Sequence, residues 1–302
     1  MLALSTHWNA HRHRSGEALI DEILEAGFRR VELGYDLTLD LVPGVRERVR
    51  GGAVTVESVH NFCPVPIGAP QGHPELFELA ALDPRARASA VRHTLRTIEL
   101  AAEMQARTVV AHAGNVDMWN RTRKLLALFR RNRQFQSRYE RIKLRLLTRR
   151  AKLAPPHLDA LRASLGELLP ALESAGVRLA LENLPSWEAL PTEAEAEALL
   201  REFDSPRLGY WHDIGHGHVR QTLGFTSDLH WLQKLSPWLM GMHVHDVAPP
   251  ATDHLMPPDG RVDFAAFRPV LKAGLSLVLE PLPGLPLEKL LTGRRLIEEA
   301  WQ

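Results

Sequence analysis

Short apolar runs rich in β-branched residues alternate along this chain with longer amphipathic segments, the pattern expected when parallel strands are covered by helices. Eight runs read as strands: Leu2 to Ser5, Arg30 to Leu33, Ala53 to His60, Arg107 to His112, Val177 to Glu182, Arg207 to Asp213, Met240 to His245 and Ser276 to Glu280. Between them the spacing predicts helices over Gly16 to Ala26, Arg85 to Gln105, His157 to Ala175, Thr192 to Phe203, Phe264 to Ala273 and Leu287 to Trp301. Gly27, Gly176 and Gly274 each follow a helical segment, where a left-handed C-cap favours glycine. Eight βα units favour closure into a (β/α)8 TIM barrel of the α/β class over an open doubly wound sheet, and 302 residues suit such a barrel as a single domain.

Two segments interrupt the alternation. Asn61 to Asp83, rich in Pro and Gly, reads as a long loop leaving the third strand. Residues 119–152 read as a basic helical insertion after the fourth strand, with Glu140 as their only acid. Apolar positions at Leu125, Leu126, Phe129, Ile142, Leu146 and Leu147 predict one or two amphipathic helices there. A solvated basic face or an oligomer contact is the plain reading of this insertion; an anion-binding lid over the site is the functional one.

Composition adds limits. Apolar residues at 45% and charged residues at 24% describe an ordinary globular chain. A net charge of +1 gives no global field that recommends nucleic acid as a partner, although local patches stay open. The N-terminal stretch lacks a long apolar segment and no later run approaches a membrane span, so a soluble cytoplasmic protein is expected. Cys63 is the only cysteine, which excludes an internal disulfide, leaves a metal site to nitrogen and oxygen ligands apart from that one thiol, and suits an inert packing role. The fifteen histidines stand out.

From the third predicted strand onward nearly every strand ends in a ligand-type residue: His60, His112, Glu182, Asp213 with His216, His243 with His245 and Asp246, and Glu280. In a (β/α)8 barrel those ends surround one pocket. A single strand-end His is ordinarily a hydrogen-bonded structural residue, but convergence of all of them is difficult to explain by packing. Asp213 and His216 stand three apart at a strand-to-helix turn, where a first helical turn presents both on one side. His243 and His245 alternate along a strand and share a face. Glu182 and Glu280 each close an apolar run, where an unpaired carboxylate would be costly and a divalent cation removes the cost. Glu182, Asp213, His243 and Glu280 are the candidate metal ligands. His60, His112 and His216 are candidates for the surrounding shell, for substrate contacts or for further ions. The set suits Mn2+, Co2+, Zn2+ or Mg2+ in an open site. His7, His11 and His13 follow the first strand and are within reach of the site, although a solvated loop is the plainer reading, and Trp8, Trp119 and Trp187 read as rim or core packing or sugar-stacking groups.

In their order and spacing the segments VELGY (Val31 to Tyr35), SVHNFCPVP (Ser58 to Pro66), VVAHAG (Val109 to Gly114), GVRLALENLP (Gly176 to Pro185), DIGH (Asp213 to His216), GMHVHD (Gly241 to Asp246), PPDGRVDF (Pro257 to Phe264) and LVLEP (Leu277 to Pro281) resemble the xylose isomerase-like TIM barrels. That family groups sugar isomerases and epimerases with apurinic-site nucleases of the endonuclease IV type. The resemblance implies a metal held by Glu182, Asp213, His243 and Glu280, with His243 preferred over His245 because an acid, Asp246, follows three positions later. It implies Glu182 and Glu280 as the acid and base of a sugar or sugar phosphate isomerase or epimerase, working beside a carbonyl through an enediolate, with His216 on a substrate oxygen. His60, His112, His216, His245, Asp246 and His254 are its implied substrate-binding or further metal-shell residues. A metal-dependent lyase or hydrolase acting on a 3-keto sugar or glycoside is the alternative within the same chemistry. A three-zinc phosphodiesterase of the endonuclease IV type is the mechanistic rival, although Thr252 stands where its pattern wants an Asp and only neighbouring Asp253 is at hand. The expected partner is a small-molecule sugar; nucleic acid and membrane are not expected, and a homo-oligomer is open.

Overall fold

The computed structural model describes residues 2–302. Eight parallel strands follow one another around a closed barrel: β1 (Ala3–Ser5), β2 (Arg30–Leu33), β3 (Thr55–His60), β4 (Thr108–Ala111), β5 (Arg178–Glu182), β6 (Leu208–Asp213), β7 (Leu239–Val244) and β8 (Ser276–Leu279). Closure runs through β1 and β8, with Ala3 opposite Val278 and Leu4 opposite Leu279. Each expected strand is present with its ends within two residues of the sequence reading.

The helices are α1 (Gly16–Glu25), α2 (Val42–Arg50), α3 (Pro84–Glu103), α4 (Thr122–Phe129), α5 (Ser137–Ala175), α6 (Glu193–Phe203), α7 (Ile214–Thr222), α8 (Asp228–Leu235) and α9 (Leu287–Trp301). Two of the glycine caps form as expected, Gly27 and Gly176 with φ of 79° and 69°; Gly274 also has a positive φ, 85°, but stands beyond an element that ends at Val270 with Leu271 as its cap. Thr192 and Glu195 cap α6 reciprocally, each side chain accepting from the other's backbone N–H.

Five elements depart from the sequence reading. The helix expected over Phe264 to Ala273 is a 3-10 helix, Phe264–Val270, because Pro269 lacks the N–H that an α-ladder needs. The short helices α2, α7 and α8 escaped the periodicity: α2 opens on Val-Pro-Gly, and α7 carries Gly215 and Gly217, which dilute the apolar stripe. The second helix of the insertion and the helix expected from His157 are one 39-residue element, α5, which runs through Pro155 and Pro156.

The main core lies between strands and helices, and a smaller one fills the barrel: Ala3, Val110, Ala180, Trp211, Met240 and Val278. Gly241 makes room for it, since a Cβ there would lie 2.2 Å from the Trp211 ring. This plug is a floor on which the chemistry-bearing residues stand.

The insertion is anchored to the barrel. Leu125 and Leu128 of α4 and Tyr139 and Leu146 of α5 pack with Val219, Leu223 and Val247 into a separate apolar cluster. The Glu188 carboxylate accepts from the Arg121 and Thr122 N–H groups and from the Thr122 hydroxyl, holding the start of α4.

No helix among the described residues is long and apolar enough to cross a membrane. Cys63 is buried in the main core, and burial pushes its thiol up, as its packing role implies.

Candidate metal centre

His243, near the end of β7 and fully buried, is the hub of the site. Its Nδ1 lies 3.1 Å from Glu182 Oε1 at the end of β5, 3.3 Å from Glu280 Oε2 after β8, and 3.8 Å from Asp213 Oδ2 at the end of β6. Its Nε2 faces Glu32 of β2, 3.2 and 3.1 Å from the two oxygens, and Ser58 Oγ donates to the same carboxylate at 2.7 Å. A neutral imidazole has one donor and one acceptor nitrogen. A proton on Nε2, donated to Glu32, therefore turns the Nδ1 lone pair toward three carboxylates.

Two further groups of donors flank this one. His60 Nε2 and His112 Nε2 are 3.3 and 3.2 Å from Glu182 Oε2. His60 Nδ1 is tied to the Asn61 carbonyl at 2.9 Å, whereas His112 Nδ1 is buried without a partner. On the other side His216, Asp253 and His254 converge. The donor atoms within each of the sets His60–His243–Glu280, His60–His112–Glu182, Glu182–Asp213–His243 and His216–Asp253–His254 all lie within 4.8 Å of one another.

Local structure sets each orientation. Asp213 is the N-cap of α7 and accepts from the His216 N–H at 2.6 Å, so the spacing read from sequence does place both on the first turn. Asn183 ties β5 to β6, accepting from the Asp213 N–H at 2.7 Å and donating to the Asp213 carbonyl at 3.0 Å. His216 Nδ1 donates to the Asn183 carbonyl at 2.9 Å, which leaves Nε2 free. His245 shares the face of His243, and its Nε2 is 3.0 Å from both Asp213 oxygens. Its Nδ1 accepts from the His254 N–H at 2.9 Å, so the proton sits on Nε2 and His245 is a donor to Asp213.

Asp246 stands apart from the other expected residues. Its carboxylate accepts from the backbone of Val247, Gly260 and Val262 at 2.8 to 2.9 Å and organises the loop after β7, so it does not face the cavity.

Electrostatics mark the same place. Burial pushes the Glu280 carboxyl up, and with the neighbouring Glu32 and Glu182 charges it overcomes the opposing pull of His243. For Glu182 burial acts the same way, but His243, His112 and His216 outweigh it and hold the group well below the usual carboxylate range. Burial would lower His216, yet Asp213 and Glu182 raise it to about 9. The donor set fits a divalent cation: four buried carboxylates converge on imidazoles, and His243 Nδ1 is enclosed by three of them.

Sequence reasoning missed Glu32, Tyr35 and Asn183 as site residues. The Tyr35 ring meets His60 edge-on at 5.1 Å, and its hydroxyl is 3.3 Å from His7 Nε2, whose Nδ1 donates to Asp36 at 3.0 Å. His7 thus lies beside the site rather than in a solvated loop, while His13 pairs with Glu22. Trp8 is core, with its indole N–H donated to the Leu285 carbonyl; Trp187 is stacked against Phe225; Trp119 is 77% exposed.

Closed barrel and strand-end donor set together define the class, and the chain belongs to the xylose isomerase-like TIM barrel family, whose model matches residues 20–299. In sequence, the uncharacterised protein MJ1311 of Methanocaldococcus jannaschii is 27% identical over 110 residues, a match spanning 35% of this chain and 36% of that protein. In structure, the chain is similar to an L-ribulose 3-epimerase (TM-score 0.71, 14% identity, 100% of this chain and 95% of that one). It is likewise similar to a D-tagatose 3-epimerase-like protein (0.70, 18%, 99% and 96%) and to IolI protein with a bound zinc (0.66, 12%, 99% and 97%). At these identities the likeness is one of fold.

Proposed function

We propose that this chain is a divalent-metal-dependent isomerase or epimerase of a small sugar. The observation that carries the reading is the enclosure of His243 Nδ1 by Glu182, Asp213 and Glu280, with the two glutamates arriving from strands on either side of β6 and β7. Glu182, Asp213, His243 and Glu280 would hold the ion. When bound, it would supply Lewis-acid stabilisation of the negative charge that develops on the substrate's oxygens.

The chain's own residues do the rest. Glu182 and Glu280 flank the substrate, so one carboxylate removes the proton from the carbon beside the carbonyl and the other returns it. The site of return decides between epimer and isomer. His216, with Nδ1 committed to the Asn183 carbonyl, keeps Nε2 for a substrate oxygen.

The test joins metal content to proton exchange. About one ion per chain on protein purified without chelator, together with uptake of deuterium into a ketose or 3-keto sugar that is lost in Glu182→Gln and Glu280→Gln, is the expected result. Exchange that survives both substitutions would remove the assigned acid and base.

A second reading has its own observation. Asp253 joins His216 and His254, and His60, His112 and Glu182 form another set, so three ion sites of the phosphodiesterase type can be drawn although Thr252 occupies the position that the pattern gives to Asp. Three zinc ions per chain, with cleavage of an abasic oligonucleotide, would favour that reading over the first.

A further inference from the structure

Thirteen of the 37 Lys and Arg but one of the 36 Asp and Glu fall within residues 119–152, so this insertion carries +12 while the remaining 268 residues carry −11. The overall charge of +1 hides this segregation. Of the thirteen cations, Arg150 pairs with a carboxylate, Glu195, and no other is ion-paired among the described residues. Like charges held this close without counter-charge repel, and the apolar cluster that anchors α4 and α5 prevents them from separating.

Their arrangement is concave. Arg121 and Lys124 of the α4 side and Arg138, Arg141 and Arg145 of α5, with Ile142, line a groove of about 410 Å3. Arg138, Arg141 and Arg145 stand at i, i+3 and i+7 on one helix face, a row about 10 Å long. Four of the five cations are arginines, whose planar forks suit phosphate oxygens. Trp119 and Phe135 are 77% and 91% exposed and lie next to the groove in sequence, two residues before Arg121 and three before Arg138. The expectation against nucleic acid rested on net charge, with local patches left open; the segregated charge is such a patch, and two exposed rings accompany it.

We infer that the α4–α5 groove binds the phosphodiester backbone of a single-stranded nucleic acid, with Trp119 and Phe135 stacking on its bases. A cationic groove joined to exposed aromatic faces is the physical recipe for sequence-tolerant single-strand binding. The groove's concavity favours a strand over a flat anionic membrane, against which a row of cations would be presented on a convex face. None of the residues around His243 lines the groove, so the inference stands apart from the reading of the barrel site.

The probe is a fluorescein-labelled 15-nucleotide oligo(dT), followed by anisotropy on the full chain from 50 to 300 mM salt. Binding with a dissociation constant of about 1–100 μM near physiological salt is expected. Five phosphate contacts give a slope of log affinity against log salt of about −3.5. The triple reversal Arg138→Glu, Arg141→Glu, Arg145→Glu should weaken binding more than tenfold and bring the slope toward zero. An equal reversal of exposed Arg14, Arg85 and Arg92 should leave both nearly unchanged. Trp119→Ala with Phe135→Ala should weaken binding about fivefold or more while leaving the slope intact. Circular dichroism and melting temperature establish that each variant folds.

Four results would overturn the inference: no binding at 50 mM salt; affinity indifferent to the groove reversal; binding to phosphatidylserine vesicles but not to the oligonucleotide; or salt-sensitive self-association that the reversal abolishes in the absence of oligonucleotide binding. The third would point to a membrane surface and the fourth to an acidic face of a second copy.

Discussion

Replacing Glu32 by glutamine tests whether the site is built to hold a cation. The side chain is fully buried, accepts from Ser58 Oγ, and faces His243 Nε2 with both oxygens at 3.1–3.2 Å. It is hydrogen-bonded to none of the other candidate ligands, so its direct contact with the site is the His243 ring, although its charge also pushes Glu280 up. Glutamine preserves volume and an acceptor oxygen but removes the charge. A hydrogen bond to a charged partner contributes about 1.5–3 kcal/mol and a neutral one about 0.5–1.5, so the exchange costs about 1–2 kcal/mol. At about 1.4 kcal/mol per decade this is close to a tenfold loss of ion affinity, the lower end of the 10- to 100-fold range typical of carboxylates behind ligating imidazoles. The assay is competition of Zn2+ or Mn2+ between the protein and a chromophoric chelator, with the melting temperature of metal-free protein measured in parallel. The expected outcome is a 10- to 100-fold loss of affinity for both ions; a purely structural Glu32 would lower the metal-free melting temperature and leave affinity within threefold of the parent. The second outcome would refute the positioning argument.

Three other expectations follow from distinct parts of the molecule. Partial burial pushes the Glu22 carboxyl up, but hydrogen bonds from Arg12, His13 and Asn9 outweigh it and hold the group down to about 2. A depressed folded value means stability that is present above the ordinary value of 4.5 and lost as pH falls toward 2, so Glu22→Gln should flatten the acid limb of melting temperature against pH in that window; an unchanged slope would exclude this pair as a contributor. At Gly215 a Cβ would lie 2.0 Å from His245 Cε1, so Gly215→Ala should cost about 1–3 kcal/mol in urea unfolding, and a neutral result would mean the ring has room to turn. Finally, the surrounding carboxylates raise His243 well above the ordinary imidazole value against the burial that would lower it. An incoming cation must displace that proton, so ion affinity should rise about tenfold per pH unit across the neutral range and about one proton should appear in weakly buffered solution for each ion bound; binding without proton release would place the ion away from His243.

How much of this was legible in the sequence depends on where each residue stands in its run. Glu182 and Glu280 could be read because each ends an apolar stretch, Asp213 because His216 follows it by three positions at a strand-to-helix turn, and strand ends in a barrel share one face. Glu32 could not, because it sits inside Arg30–Leu33 with an apolar residue after it, and its partner is 211 positions away on β7. Its signal was a charged residue in so short a strand, which alone reads as a solvent-facing position. Asp246 misled in the opposite direction: it follows two strand-end histidines, yet three loop N–H groups claim its carboxylate. The insertion's helices were legible from their apolar spacing, whereas the continuation of the second into the helix expected from His157 was not, since prolines such as Pro155 and Pro156 ordinarily interrupt a helix. The segment's charge was visible in sequence, but the groove depends on how α4 folds back on α5, which only packing reveals.

The number of ions the site takes follows from how its donors are shared. The set around His243 brings Glu182, Asp213 and Glu280, three buried carboxylates, to one nitrogen. The set His216, Asp253 and His254 brings one carboxylate, and burial holds His254 well below the ordinary imidazole value. On the proposed reading the first ion would enter at His243, where the unbalanced negative charge is greatest. A second ion at His60 and His112 would share Glu182 with the first, each oxygen serving one side, and would meet the first ion's charge at close range. Occupancy should accordingly be stepwise, with a tight first ion and weaker later ones, and a protein that fills only the first position has the carbon-acid site while one that fills all three has the phosphodiester site on the same side chains.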